Sequence, residues 1–161
     1  MSTSEQINAW VKKNLAKNVM YLGAVPSDKM PSGKIFQRPV RGVINTDDST
    51  GKGVHWRAFG IEKDNLGFYF DSYGLNEDLE LKLLNEPENS VMAWLKDNGC
   101  NKIIRNIYGD LQELKETTCG HWSAYACVYP PINKNDKHWS KLIKLPKHAR
   151  DNEIKKLVKL N

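Results

Sequence analysis

Between Val40 and Asp71 the chain carries three apolar, β-branched and aromatic runs separated by two short polar turns. Val40 to Thr46 reads as one strand, Val54 to Ile61 as a second and Phe68 to Asp71 as a third. The segments Asp47-Asp48-Ser49-Thr50-Gly51-Lys52-Gly53 and Lys63-Asp64-Asn65-Leu66-Gly67 are made of turn formers, so consecutive strands become antiparallel neighbours. No other stretch holds as much continuous apolar and aromatic content, which makes this meander the centre of a sheet. At 161 residues the chain has the size of one domain with a real core, spanning 1–161.

The flanks read as mostly helical. Thr3 to Gln6 has the form of a capping box opening a first helix, with Ile7, Trp10, Val11 and Leu15 as its apolar stripe. Met20-Tyr21-Leu22-Gly23 leads out of that helix, and residues 23–39, rich in Pro, Gly and Ser, read as a surface loop. Asn76 to Leu84 has helical spacing at Leu79, Leu83 and Leu84, broken by Pro87. Val91 to Lys96 fits a helix better than a strand, and Ile103 to Tyr108 alternates as a further strand. Past Pro130-Pro131 a loop is expected through Trp139, then an amphipathic helix over 149–160, with Ile154, Leu157, Val158 and Leu160 inward. There are no internal repeats, low-complexity segments or linkers. The expected class is α+β, a mixed sheet with one central helix and flanking helices.

That central helix carries the first candidate for chemistry. Trp122, Tyr125, Ala126 and Tyr129 recur at helical spacing after a polar run, with Thr117 or Thr118 in N-cap position, and Pro130-Pro131 stops the pattern. Cys119 thus falls at the positive end of a helix dipole, where a thiolate is stabilised and becomes a nucleophile near neutral pH. Gln112, seven residues earlier, offers a neutral amide donor to the same pocket.

A base and its orienting carboxylate come from the meander. His55 lies in the second strand, in Gly53-Val54-His55-Trp56-Arg57-Ala58-Phe59, and Asp71 ends the third. Antiparallel neighbours bring such side chains within hydrogen-bonding reach, so that Asp71 fixes the imidazole tautomer and the other ring nitrogen faces Cys119. Trp56, beside the histidine, is placed to shield or pack the imidazole. Taken singly, a strand His, a helical Cys and a strand-end Asp are ordinary structural residues. Only the set in the order His, Asp, Gln, Cys argues for acyl transfer, and papain-like enzymes have the Cys before the His. His121, Cys119 and Cys127 fit no zinc spacing, so no metal site is expected. Cys127 reads as core.

The runs Gly42-Val43-Ile44-Asn45-Thr46, Gly53 to Phe59, Phe70-Asp71-Ser72-Tyr73-Gly74, Gln112 and Cys119-Gly120 resemble the adenovirus-type cysteine proteases, and more distantly the SUMO and ubiquitin-like-protein proteases. Met20 to Gly23 and Asp28 to Pro31 resemble that family's N-terminal loop, so the resemblance covers about residues 20–130. It implies an adenain-like fold with Cys119 as nucleophile, His55 as general base and then acid, Asp71 as orienting carboxylate, and Gln112 with the Cys119 N–H as oxyanion donors. It further implies processing of capsid precursor proteins during maturation of a small DNA virus or virophage, in virion and host cytoplasm. A preference for small residues around the cleaved bond follows from the same source. No cofactor is required by the chemistry, although relatives use an activating peptide and DNA. Cys100 lies near the family cysteine that links to such a peptide, but is expected to be a free surface or half-buried thiol.

Charge is the last constraint. Residues 134–161 hold eight Lys and one Arg against Asp136, Asp151 and Glu153, which gives +6 of a total of +5 and leaves −1 for residues 1–133. Such a tail is either a solvated helical face or an electrostatic footprint for DNA, with His138 and His148 only modulating its charge. The chain lacks an apolar run of ~18 residues and an apolar leader, so neither a membrane span nor secretion is expected. Three cysteines without dense spacing argue for a reducing, intracellular setting and against a disulfide scaffold. A monomer is expected. Two alternatives remain open: a deubiquitinating or deSUMOylating isopeptidase, and a basic nucleic-acid-binding module with a defunct site.

Overall fold

A computed structural model describes residues 1–77 and 91–161. The helix expected from Asn76 to Leu84, with Pro87 behind it, lies almost wholly outside the described residues. The described elements are helix α1 (Ser4–Asn14), strands β1 (Met20–Val25), β2 (Val40–Asn45), β3 (Trp56–Ile61) and β4 (Leu66–Phe70), helix α2 (Val91–Asp97), strand β5 (Lys102–Arg105), and helices α3 (Cys119–Val128), α4 (Lys137–Lys144) and α5 (Lys147–Leu157).

The fold is α+β. Its five-stranded mixed sheet has the order β1-β2-β3-β4-β5, with the antiparallel meander β2–β4 in the middle and a parallel strand on each edge. All six residues of β2 and all six of β3 are buried, because both faces of the sheet are covered. On one face Val43, Trp56, Ala58, Phe68 and Phe70 pack with Ile7, Val11 and the buried side of α3. On the other, Val40, Ile44, Phe59, Ile61 and Tyr69 meet Val91, Trp94 and Leu95 of α2. The period of two along each strand sends alternate side chains to these two cores.

Local signals hold where they are strong. Thr3 caps α1 by the full capping box with Gln6, and Ile7 and Val11 are buried beneath it. Four expectations need correction. Met20–Val25 is a strand parallel to β2, so the loop starts only at Pro26 and not at Gly23; its pairing breaks register between Tyr21 and Ala24, where Gly23 has φ +95°. The strand expected over 103–108 is the shorter β5, since Asn106 turns out of it at φ +46°. The expected loop through Trp139 is instead α4, capped by Asp136, which accepts from the His138 N–H, with Trp139 fully buried. Leu157, expected inward, is exposed, because the face of the last helix that carries Asp151 and Ile154, with Val158 just beyond it, is the one turned inward.

Among the described residues, the two buried arginines are paired. Arg41 forms a fork to Glu62 at 3.0 and 3.2 Å and donates to the Cys127 and Val128 carbonyls, closing the C-terminal end of α3. Arg57 pairs with Glu77 at 2.9 Å, and Glu77 also accepts from the Val91 and Met92 N–H groups at the start of α2.

Candidate active site

α3 lies across β3 and β2, so its first residue, Cys119, comes to rest over the N-terminal end of β3. Thr118 occupies the N-cap position but makes no side-chain cap: its hydroxyl donates to Asp151 at 2.5 Å instead. Gly120 follows because there is no room for a side chain; a Cβ there would sit 2.7 Å from the Ser2 Cβ.

His55 immediately precedes β3 and Asp71 immediately follows β4. The pairs Ala58↔Phe70 and Phe59↔Tyr69 fix the register of these strands. One residue past the last pair, Ala58↔Phe70, that register brings Arg57 opposite Asp71, where the chain leaves the sheet in a turn closed by the Gly74 N–H on the Asp71 carbonyl at 2.8 Å. The imidazole of His55 reaches the end of β4 from just ahead of β3, and Nε2 donates to Asp71 Oδ1 over 2.9 Å. The ring that shields His55 is that of Tyr73, in the turn after β4, stacked at 4.9 Å between centroids and 22° between planes. Trp56, expected in that role, is buried and donates its indole N–H to the Ser2 carbonyl at 2.9 Å.

With Nε2 committed to Asp71, Nδ1 is the ring nitrogen that bonds Cys119. Burial opposes charge on the His55 ring, but hydrogen bonds to Asp71 and Cys119 and the attraction of both negative groups outweigh it, pushing its pKa up to about 9. Burial likewise pushes the Cys119 thiol up. The hydrogen bond and charge of His55, with the Trp56 and Gly120 amides aimed at the sulfur, win, and the thiol lies below its ordinary value. A thiolate facing an imidazolium is the state this pair favours.

Asp71 is fully buried and fixed from several sides. The Tyr73 N–H donates to Oδ1 at 2.8 Å, and the Asp71 N–H donates to Asn106 Oδ1 at 2.7 Å. Gly74 then turns at φ +71°, where a Cβ would lie 2.8 Å from the Gly109 and Asp110 backbone. On the other strand, Asn45 Oδ1 accepts from the Val54 N–H and holds the His55 loop.

A cleft of about 540 Å³ opens onto the pair, lined by His55, Cys119, Tyr73, Val54, Leu75 and Leu114 among others. Gln112 is 1% exposed and sits behind Tyr73: its Oε1 accepts from Ser72 Oγ at 2.5 Å, and its Nε2 donates to the Glu116 carbonyl at 2.8 Å and to the Tyr73 hydroxyl at 3.2 Å. The structure thus brings all four sequence-selected residues into one neighbourhood, three of them in mutual contact and Gln112 one residue removed. Sequence comparison finds no family model and no curated protein that matches the chain.

Sequence reasoning missed two residues here. Tyr73 was open to discovery from its place two residues after Asp71. Asp151 was not, because its partners lie 29 to 38 residues away: it accepts from Thr118 Oγ1, from Trp122 Nε1 at 3.0 Å and from the Glu113 N–H at 3.0 Å. Two more contacts clamp the same loop to α5, Lys147 to the Asp110 carboxylate and Arg150 to the Asp110 carbonyl. Part of the basic C-terminal charge is therefore spent on this loop.

The other cysteines are structural. Cys127 is fully buried in the α3 core, and burial pushes its thiol up to about 12. Cys100, expected to be at or near the surface, is buried, with its sulfur close against Gly67, and burial raises its thiol too. His138, expected only to tune charge, stacks on Tyr129 at 3.9 Å. Among the described residues no cluster of three or more His, Cys, Asp or Glu side chains can hold a metal ion, and no helix is long and apolar enough to cross a membrane.

Proposed function

We propose that the chain is a cysteine endopeptidase working through Cys119, His55 and Asp71. The observation that carries this reading is the pairing of a depressed thiol with an elevated imidazole in one cleft, the imidazole tethered to a buried carboxylate. An interior cysteine has no need of such surroundings.

The chemistry follows from the geometry. The Cys119 thiolate attacks a peptide carbonyl, and the carbonyl electron pair becomes an oxyanion facing the α3 N-terminus, where first-turn amides have no intrahelical partner. Collapse of the tetrahedral adduct breaks the C–N bond and leaves a thioester on Cys119. The leaving amine takes the proton from the His55 imidazolium. His55, now neutral, accepts a proton from water as the water attacks the thioester. The second adduct expels the thiolate, and imidazolium and thiolate are restored. Asp71 keeps the ring in one tautomer and favours its charged form throughout.

The resemblance to adenovirus-type proteases supports an adenain-like fold, capsid precursor proteins as the substrate class, and a setting in virion and host cytoplasm. It also supports DNA as an auxiliary partner through exposed Lys141, Lys144, Lys155 and Lys156 on α4 and α5. Incubating wild type and Cys119→Ala with capsid precursors, then mapping new termini by mass spectrometry, tests the reading. New termini only with wild type support it. None with either protein, or labelling of Cys119 by a ubiquitin vinyl-sulfone probe, turns it towards no protease or towards an isopeptidase. Salt-independent or absent DNA binding at low salt removes the auxiliary partner.

A further inference from the structure

The side-chain donor to the oxyanion must have a hydrogen to give and a line of approach to the cleft. Gln112 has neither. The Glu116 carbonyl can only accept, so its 2.8 Å contact fixes which end of the Gln112 amide is nitrogen. One N–H is spent there and the other on the Tyr73 hydroxyl, while the amide oxygen is taken by Ser72. The side chain is buried and does not line the cleft, whereas Tyr73, to which it bonds, does.

Tyr73 has both. It lines the cleft together with Cys119 and His55 and is only partly buried. Its oxygen accepts from Gln112, which leaves its own hydrogen without an acceptor among the described residues. A phenol that accepts an N–H is polarised into a better donor. Its position is fixed on every side: the ring by its stack on His55, the backbone by the Tyr73 N–H bond to Asp71, and the adjoining Ser72 carbonyl by the Leu111 and Gln112 N–H groups. Burial raises the Tyr73 pKa, so the hydroxyl keeps its proton across any working pH.

Resting on the protease reading above, we infer that the hydroxyl of Tyr73, with Gln112 behind it as a relay, is the side-chain donor to the oxyanion. No covalent step changes. As negative charge grows on the carbonyl oxygen, the Tyr73 O–H donates to it, and the Gln112 N–H bond to the phenol oxygen shortens to share that charge. Tyr73 is then a catalytic residue and Gln112 a positioning one.

Tyr73→Phe tests this, since it keeps the ring on His55 and removes only the hydroxyl. Three measurements are needed on wild type, Tyr73→Phe, Gln112→Ala and the double variant: peptide hydrolysis, affinity for a peptide aldehyde, and the rate of Cys119 alkylation by iodoacetamide. The aldehyde adduct carries an oxyanion; alkylation forms none. Tyr73→Phe is expected to lower kcat about 10²–10³-fold with little change in KM, to weaken the aldehyde by a similar factor, and to leave alkylation unchanged. Gln112→Ala is expected to cost about tenfold or less, and nothing further in the Tyr73→Phe background. Near-wild-type hydrolysis by Tyr73→Phe with a large loss for Gln112→Ala overturns the inference and returns the role to Gln112. So does a fall in alkylation that matches the fall in hydrolysis, because the hydroxyl would then act on the Cys119–His55 pair. A wild-type protein that neither hydrolyses peptides nor binds the aldehyde fails the protease reading itself.

Discussion

Asp151 offers the sharpest test of how the C-terminal helix governs the site. Its carboxylate is 2% exposed and accepts three hydrogen bonds, from the Glu113 N–H, the Thr118 hydroxyl and the Trp122 indole. Hydrogen bonds to a charged group contribute about 1.5–3 kcal/mol each, but three that share one acceptor do not add. Asp151→Ala is therefore expected to lose roughly 3–5 kcal/mol, a large part of the about 5–15 kcal/mol that holds a domain of this size. Asp151→Asn is more telling. The amide oxygen can still accept from Thr118 and Trp122, which share Oδ1, whereas its NH₂ would confront the Glu113 N–H. The segment from Glu113 to Glu116 should then loosen, and with it the Glu116 carbonyl that holds Gln112. Urea unfolding of both variants, alongside peptide kinetics, separates the two effects. The Asn variant is expected to fold and to lose about tenfold in kcat, equivalent to about 1.4 kcal/mol. An Ala variant within about 1 kcal/mol of wild type would mean that the network does not hold in solution. An Asn variant with wild-type kcat would sever α5 from the catalytic loop.

The remaining predictions concern protonation and backbone. The kcat/KM profile should rise as Cys119 ionises, below the ordinary thiol value, and fall as His55 loses its proton near pH 9; an acid limb at the ordinary thiol pKa of about 8.5 would deny the ion pair. Asp71→Asn removes the hydrogen bond and the charge that raise His55, so the alkaline limb should move to lower pH and kcat should drop about 10²–10⁴-fold. An unmoved limb, followed by titration of activity, would show that Asp71 does not act on the ring. Gly74→Ala forces a side chain into φ +71° and to 2.8 Å from the Gly109 and Asp110 backbone, and should cost about 1–3 kcal/mol in a thermal melt. A neutral result would mean that this turn relaxes freely.

Much of the fold was legible because its signals are local. The α1 capping box, the two turns of the meander and the double proline after α3 each sit within a few residues of what they determine. β1 was hidden because its partner lies twenty residues on and its pattern breaks at Gly23, where the pairing slips. α4 was hidden by charge: four of its eight residues are Lys or His, which masks the helical spacing of Trp139, Leu142 and Ile143 and the cap at Asp136. Of the site, the four residues chosen from the sequence converge, since strand ends and a helix start are predictable places. What Gln112 does there was not predictable, because it depends on the Ser72, Tyr73 and Glu116 groups that the fold brings around the amide.

The turn that ends β4 explains why His55, Asp71 and Tyr73 form a unit. The Gly74 N–H closes it on the Asp71 carbonyl at 2.8 Å, and the Tyr73 N–H closes it again on Asp71 Oδ1 at 2.8 Å. His55, just ahead of β3, therefore has two neighbours in this turn, Asp71 by hydrogen bond and Tyr73 by ring stacking. One supplies a carboxylate to its edge, the other a ring to its plane, and the remaining edge is left for the sulfur. The intervening Ser72 serves through its carbonyl and hydroxyl, which bind the Leu111–Gln112 backbone and the Gln112 amide. A single insertion between Asp71 and Tyr73 would break both closures of the turn and take the ring away from the imidazole. The spacing Asp-x-Tyr at the end of a strand whose partner carries the histidine is thus the physical constraint on this site, and a more demanding one than the presence of any one of its residues.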